Sequence, residues 1–243
     1  MFPSIITATF NSEKKIIKCA KSVLMQKFND YEHIIIDNCS KDETINKLEN
    51  LRNKKINIFS KKDKGIYHAM NKGILLSKGK YLLFLNSDDF IIDKNFFKKI
   101  HKITNKNNYD IVYSNIIYER ANVIFDRKYK TGDITNRKSL GWHIPHPGTI
   151  IKKKYIQICN NYNTSYRIAA DFDFFIKSQK KKNTKYFYYD VFTIKMSHGG
   201  ASSGLFNVIK ANLECYKSLK INEYNKPLMF IIFKLFKKFI QFF

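Results

Sequence analysis

Short apolar runs alternate with stretches of helical periodicity along the first hundred residues. Residues 4–9 (SIITAT) read as a strand ending at Phe10-Asn11, where Asn11 or Ser12 can cap a helix with Ile16, Ala20, Val23 and Leu24 on one face. Residues 32–36 form a second strand that stops at Asp37-Asn38, and Ser40 and Glu43 have the spacing of a capping box for a helix bearing Ile45, Leu48 and Leu51. A third strand spans 56–59, then polar 61–64 and a helix from about Gly65 to Ser77. Residues 81–85 (YLLFL) are apolar on both faces and stop abruptly at Asn86-Ser87-Asp88-Asp89, as expected of a strand buried in the middle of a sheet. This β-α-β-α-β-α-β order with short connections predicts an α/β fold: a Rossmann-like, mainly parallel central sheet flanked by helices.

Past Asp93 a helix with Phe97, Ile100 and Ile103 leads to a fifth strand over 110–114. Residues 116–118 and 123–125 alternate like a hairpin around 120–122. A Gly/Pro/His loop over 141–149 precedes a short strand and helix reaching Ile158. A helix over 168–179, a strand over 186–195 and a helix over 205–219 follow. The tail, 226–243, interleaves Phe230, Phe233, Leu235, Phe236, Phe239 and Ile240 with Lys234, Lys237 and Lys238. It is too short and too charged to span a bilayer, but has the make-up of a C-terminal amphipathic helix lying in an interface. A helix packed on the domain is the other reading of that pattern.

Composition narrows the partners. Lys and Arg number 44 against 20 Asp and Glu, a net charge of +24, which calls for something acidic: nucleic acid, an anionic membrane or phosphorylated substrates. Four cysteines lie far apart with no Cys-x-x-Cys pair, so reduced thiols and a cytoplasmic protein are expected rather than disulfides or a zinc site. The first ten residues run straight into a strand, so no signal peptide is expected.

The strand ends carry the chemistry. Thr9 and Asn11, Asp37, Asp63, and the run Asn86 to Asp89 would converge on one edge of a parallel sheet, where ligands of open α/β folds bind. Adjacent carboxylates beside an amide and a hydroxyl suit a hard divalent cation carrying phosphates; a polar turn with Ser87 or Asp88 as a helix cap is the plainer alternative. There is no Gly-x-Gly-x-x-Gly after the first strand and no Gly-x-x-x-x-Gly-Lys-Ser/Thr loop, which argues against a dinucleotide oxidoreductase, a P-loop ATPase and a Walker-type kinase.

The segments TATFN (7–11), IIDNCSKDET (35–44), KDKGIYHAMNKGI (62–74), YLLFLNSDD (81–89) and AADFDFFIK (169–177) together resemble the successive motifs of family 2 glycosyltransferases of GT-A fold. The chain is similar to small bacterial enzymes of surface-polysaccharide biosynthesis. The resemblance implies that Thr9 and Asp37 hold the nucleotide base and ribose, with Asp63 and Lys64 close by. Asn86-Ser87-Asp88 stands where the family has Asp-x-Asp, so Asp88 is the implied ligand of Mn²⁺ or Mg²⁺, and Asn86 contacts the donor neutrally. Asn38-Cys39 departs from the family's small Gly-rich pair.

Asp171 matches the family's general base, with Asp173 as second candidate; on a helix two residues diverge by roughly 200°, so only one can face the substrate. His198 before Gly199-Gly200 is a further candidate metal ligand, and His146 a loop histidine of open role. Trp142 could stack on an acceptor sugar. The resulting expectation is a metal-dependent inverting hexosyl- or N-acetylhexosaminyltransferase. It would use a nucleotide-sugar donor, UDP-linked, and a lipid-linked glycan acceptor at an anionic membrane surface, on the inner face of the cytoplasmic membrane. The expected organisation is a glycosyltransferase domain over 1–222, with a nucleotide-sugar half (1–115) and an acceptor half (116–222), and a membrane-associating tail over 223–243. The rivals are a metal-dependent nucleotidyltransferase and a non-catalytic basic module binding nucleic acid, for which no motif speaks.

Overall fold

The structure, a computed structural model, describes residues 1–119, 126–134, 144–197 and 204–240. Strands β1 (Ser4–Thr9), β2 (Glu32–Asp37), β3 (Ile56–Ser60) and β4 (Tyr81–Phe84) alternate with helices α1 (Ile16–Leu24), α2 (Thr44–Glu49) and α3 (Ile66–Leu76). After β4 come β5 (Phe90–Ile91), α4 (Phe96–Lys106), β6 (Ile111–Tyr118), β7 (Arg127–Tyr129), β8 (Thr149–Lys152) and α5 (Lys153–Ile158). The chain continues with α6 (Ala170–Lys180), β9 (Tyr186–Met196), α7 (Leu205–Ile221) and α8 (Pro227–Ile240).

Among the described residues one sheet forms, in the order β3-β2-β1-β4-β8-β6-β9-β5, with β7 beside β6. The first four strands are parallel, as expected. Beyond them the sheet is mixed: β8 runs antiparallel to both β4 and β6, β5 is antiparallel to β9, and only β6–β9 returns to parallel. A run as short as 149–152 (TIIK) reads as a strand in either direction, so its orientation leaves no mark in the periodicity.

Successive strand residues point to opposite faces, and each face has its own core. Ile5, Leu83, Val112 and Ile150 pack against α1 and α4, with Phe96 and Phe97 at the centre. Ile6, Leu82, Phe84 and Ile151 pack on the other face against α3, α5 and α6. Gly73 lies so close to Ile6 that an added Cβ would overlap its side chain, which lets α3 sit tightly on β1.

Two local expectations need correction. Ser40 does not cap α2: its hydroxyl donates to Asp37, the N-cap position is Glu43 with no side-chain cap bond, and the Thr44 amide donates to Asp42 Oδ1 at 3.0 Å. Neither Asn11 nor Ser12 caps α1 through its side chain. Instead Asn11 adopts the left-handed conformation and accepts from the Lys41 amide, tying the β1 loop to the β2 loop. β6 pairs antiparallel with β7 at 127–129; the expected turn at 120–122 and strand at 123–125 lie outside the described residues, as do Trp142 and His198.

Candidate active site

The carboxyl ends of β1, β2 and β4, the start of α3 and the start of α6 enclose a cavity of about 770 Å³. Thr9, Asn11, Asp63, Asn86, Asp88 and Asp171 all line it. Strand-end loops are laced together around it: Ser12 Oγ lies 3.0 Å from Ser87 Oγ, and the Asp63 amide donates to Asn38 Oδ1 at 2.7 Å. Gly65 turns with φ of +136°, a conformation open to glycine, and its amide donates to Asp63 Oδ1 just before α3 begins.

Thr9 is 6% exposed, and its Oγ1 has no hydrogen-bond partner among the described residues. A buried hydroxyl left unpaired costs stability unless a ligand satisfies it, so this atom marks a place where a polar group can dock. Asp37 stands differently: fully buried, it accepts from Ser40 and from Ser60 Oγ and does not line the cavity. Lys64 is exposed and also outside the lining.

Residues 86–89, which follow Leu85 at the end of β4, divide their work. Asp88 is partly exposed at the cavity wall, with Lys15 Nζ 4.0 Å away. Asp89 is turned inward, taking hydrogen bonds from Asn86 Nδ2 at 2.9 Å and the Ser197 amide at 3.2 Å. Burial, then the adjacent Asp88 charge, push the Asp89 carboxyl up to about 7. Asn86 therefore spends its amide on fixing Asp89, while the Ser197 hydroxyl donates to the Asp88 carbonyl at 2.6 Å and ties down the end of β9. No cluster of three metal-ligating side chains exists among the described residues.

Across the cavity, the first turn of α6 separates the two candidate bases. Asp171 lines the cavity and accepts from Tyr67, whose hydroxyl lies 2.9 Å from Asp171 Oδ1 and 2.7 Å from the Ile168 carbonyl. Burial and the Asp171 charge raise the Tyr67 phenol well above its usual range, so it remains a donor. Asp173 points the other way: it is buried, accepts from Ser218 Oγ at 2.7 Å and Asn222 Nδ2 at 3.0 Å, and pairs with Lys177 at 2.6 Å. Its placement follows from the helical period. Asp173→Ala should therefore cost roughly 1–3 kcal/mol of stability, the range for stranding buried partners of a charged group, with ligand affinity in the cleft unchanged. Urea unfolding measures this; unchanged stability with weakened cleft binding would return Asp173 to the site.

Several contributors carry no local sequence signal. Lys14, Lys15 and Arg167 line the cavity beside Glu13, Asp42, Asp63, Asp88, Asp89 and Asp171, and give an anionic group cationic partners there. The Glu214 carboxylate of α7 accepts from the amides of Arg167, Ile168 and Ala169 at 2.8–3.0 Å, holding the segment that leads into α6. His146, also in the lining, is buried against Phe84 with Nε2 2.7 Å from the Tyr162 hydroxyl, and burial lowers its basicity.

Known proteins resemble this chain in sequence and in fold. The model of the family "Glycosyl transferase family 2" matches residues 4–194. A PGL/p-HBAD biosynthesis glycosyltransferase of Mycobacterium bovis BCG is 27% identical over 179 residues, covering 72% of this chain and 68% of the relative. An uncharacterized glycosyltransferase of Methanocaldococcus jannaschii is 26% identical over 234 residues, covering 92% of this chain and 80% of the other. The crystal structure of S. aureus TarS in complex with UDP-GlcNAc superposes with a TM-score of 0.71 at 18% identity, covering 90% of this chain. The chain spans only 64% of that solved chain, and the likeness establishes a shared fold. With the family model spanning both strand-end loops and the helix that bears Asp171, the chain belongs to glycosyl transferase family 2.

Proposed function

We propose that this protein is an inverting glycosyltransferase that moves a hexosyl or N-acetylhexosaminyl group from a UDP-sugar to a growing lipid-linked surface glycan. The observation that carries the reading is one cavity lined both by cations and a metal-suited carboxylate (Lys14, Lys15, Arg167 and Asp88) and by a tyrosine-held carboxylate, Asp171. A donor diphosphate suits the first, and an acceptor hydroxyl the second. Thr9 Oγ1 offers the nucleoside a hydrogen bond it otherwise lacks. That the TarS relative binds UDP-GlcNAc favours a uridine donor.

Inversion is a single displacement at the anomeric carbon. The acceptor oxygen bonds to that carbon as the bond to the diphosphate oxygen breaks; the hydroxyl proton passes to Asp171, and the electron pair leaves with the diphosphate. Tyr67 and the Glu214-held segment orient the carboxylate for that proton. Lys15 and Arg167, both in the lining, would meet the charge that accumulates on the leaving group. A Mn²⁺ or Mg²⁺ ion fits the donor set: Asp88 alone would offer a carboxylate, Asn86 being engaged by Asp89, and such cations take most ligands from phosphates and water. When bound, it supplies neutralisation of the diphosphate charge. The donor half is assigned to 1–115 and the acceptor half to 116–222, with residues 223–243 as a tail that meets the membrane.

The test is product identity. Purified protein given a UDP-sugar, Mn²⁺ and a polyprenyl-linked glycan should release UDP and extend the glycan with inverted anomeric configuration. Release of pyrophosphate would make it a nucleotidyltransferase; no turnover together with salt-sensitive binding of DNA or RNA would make it a nucleic-acid module.

A further inference from the structure

Helix α8 is both packed and exposed. Its inner face is buried, with Phe230 at 5.7 Å, edge to face, from Phe172 of α6, and Ile231 in the same cluster. Cys215 and Leu219 of α7 complete that cluster, so α7 and α8 both turn their inner faces to α6. Their outer faces therefore both point away from the core. On α8 the outer face carries Leu228, Ile232 and Phe236, at 62%, 55% and 58% exposure and spaced i, i+4, i+8. On α7 it carries Phe206, Ile209 and Leu213, at 78%, 52% and 64%, spaced i, i+3, i+7. Apolar residues so exposed and so regularly spaced on two neighbouring helices mark an interaction surface rather than scatter.

We propose that α7 contributes a membrane-facing stripe of its own, and that with the outer face of α8 it forms a two-helix platform for an anionic lipid surface. Charge selects this partner. Between 205 and 240 there are seven lysines and two glutamates. Glu214 is engaged by the amides of 167–169, and Glu223 is paired with Lys180. Lys234 turns inward, over the Phe172 ring and onto Cys215 Sγ, but Lys217 and Lys220 are exposed on α7, and an apolar face with exposed lysines on the same helix matches acidic headgroups above acyl chains. A second copy of this chain would oppose lysines to lysines, a costly juxtaposition. No described helix is long and apolar enough to cross a membrane, which leaves surface binding as the mode. The identity of the partner rests on the membrane-linked acceptor proposed above; the assignment of α7 rests on the exposed stripe. Because α6 carries Asp171 on its opposite side, the platform would hold the cleft at a set distance from the lipid.

The experiment is vesicle co-sedimentation of the full chain with phosphatidylglycerol-containing and pure phosphatidylcholine vesicles. Wild type should bind the anionic vesicles preferentially and release them in salt. I209E/L213E, which leaves α8 intact, and L228E/I232E should each weaken binding by at least about tenfold, since each withdraws two apolar side chains from lipid. Circular dichroism and UDP-sugar turnover on a soluble acceptor should match wild type in both. If I209E/L213E binds as wild type does while L228E/I232E does not, α7 is no part of the platform. If wild type binds no vesicle, the membrane reading itself fails. If wild type is a dimer that I209E/L213E makes monomeric, the face is a self-association surface and the proposal is overturned.

Discussion

Asp171→Asn should lower kcat for sugar transfer by about 10²–10⁴-fold, the contribution of a positioned general base, while donor affinity measured by calorimetry stays within a small factor of wild type. The substitution is nearly isosteric, and the amide oxygen can still accept from Tyr67, so the helix start should keep its place. What disappears is the ability to take the acceptor proton, which matters only as the new bond forms. In the proposed reaction donor binding precedes that step and would draw on other residues that line the cavity. An equal loss of donor affinity would instead make Asp171 a donor ligand, and a near-wild-type rate would move the base elsewhere.

Asp88→Asn should act on the other side of the reaction. It removes the carboxylate proposed to face the metal–diphosphate, so donor affinity in Mn²⁺ should fall by at least the 10–100-fold that roughly attends loss of even an outer-shell partner at a metal site. Stability should change by only about 0–1 kcal/mol, because Asp88 is partly exposed and its nearest cation, Lys15, is 4.0 Å away. The two variants are thus opposites: one binds donor and does not transfer, the other fails at binding. Retained Mn²⁺-dependent affinity in Asp88→Asn would remove Asp88 from the metal site.

Much of this was legible in the chain because burial and function meet at strand ends. The run at 81–85 is apolar on both faces, the run at 4–9 is short and strand-like, and both stop at polar residues, so β1, β4 and the contents of their loops could be placed from pattern alone. The divergence of Asp171 and Asp173 followed from helical geometry, but which of them meets the cavity depended on α7, whose Ser218 and Asn222 claim Asp173 from more than forty residues away. Glu214 reaches the start of α6 over a similar separation and leaves no local trace. Lys15 and Arg167 were hidden for another reason: among 44 basic residues, position in the fold alone distinguishes a cleft lysine from a solvated one. The two-residue strand β5 falls below any periodicity, and strand direction beyond β4 is invisible to it. Asp37 illustrates the reverse case: a conspicuous strand-end carboxylate whose oxygens are taken by Ser40 and Ser60.

This cavity is proposed to bind a nucleotide sugar, with a divalent cation that Asp88 would help to hold neutralising the diphosphate. A thermal-shift screen of nucleotide sugars, with and without Mn²⁺, tests it most directly, because a ligand that binds only the folded protein raises its melting temperature. At least one UDP-sugar should raise the melting temperature of wild type in Mn²⁺, with little effect when the ion is chelated and little effect on Asp88→Asn. A screen in which no nucleotide sugar shifts the transition under either condition, or in which Asp88→Asn responds as wild type does, would contradict it.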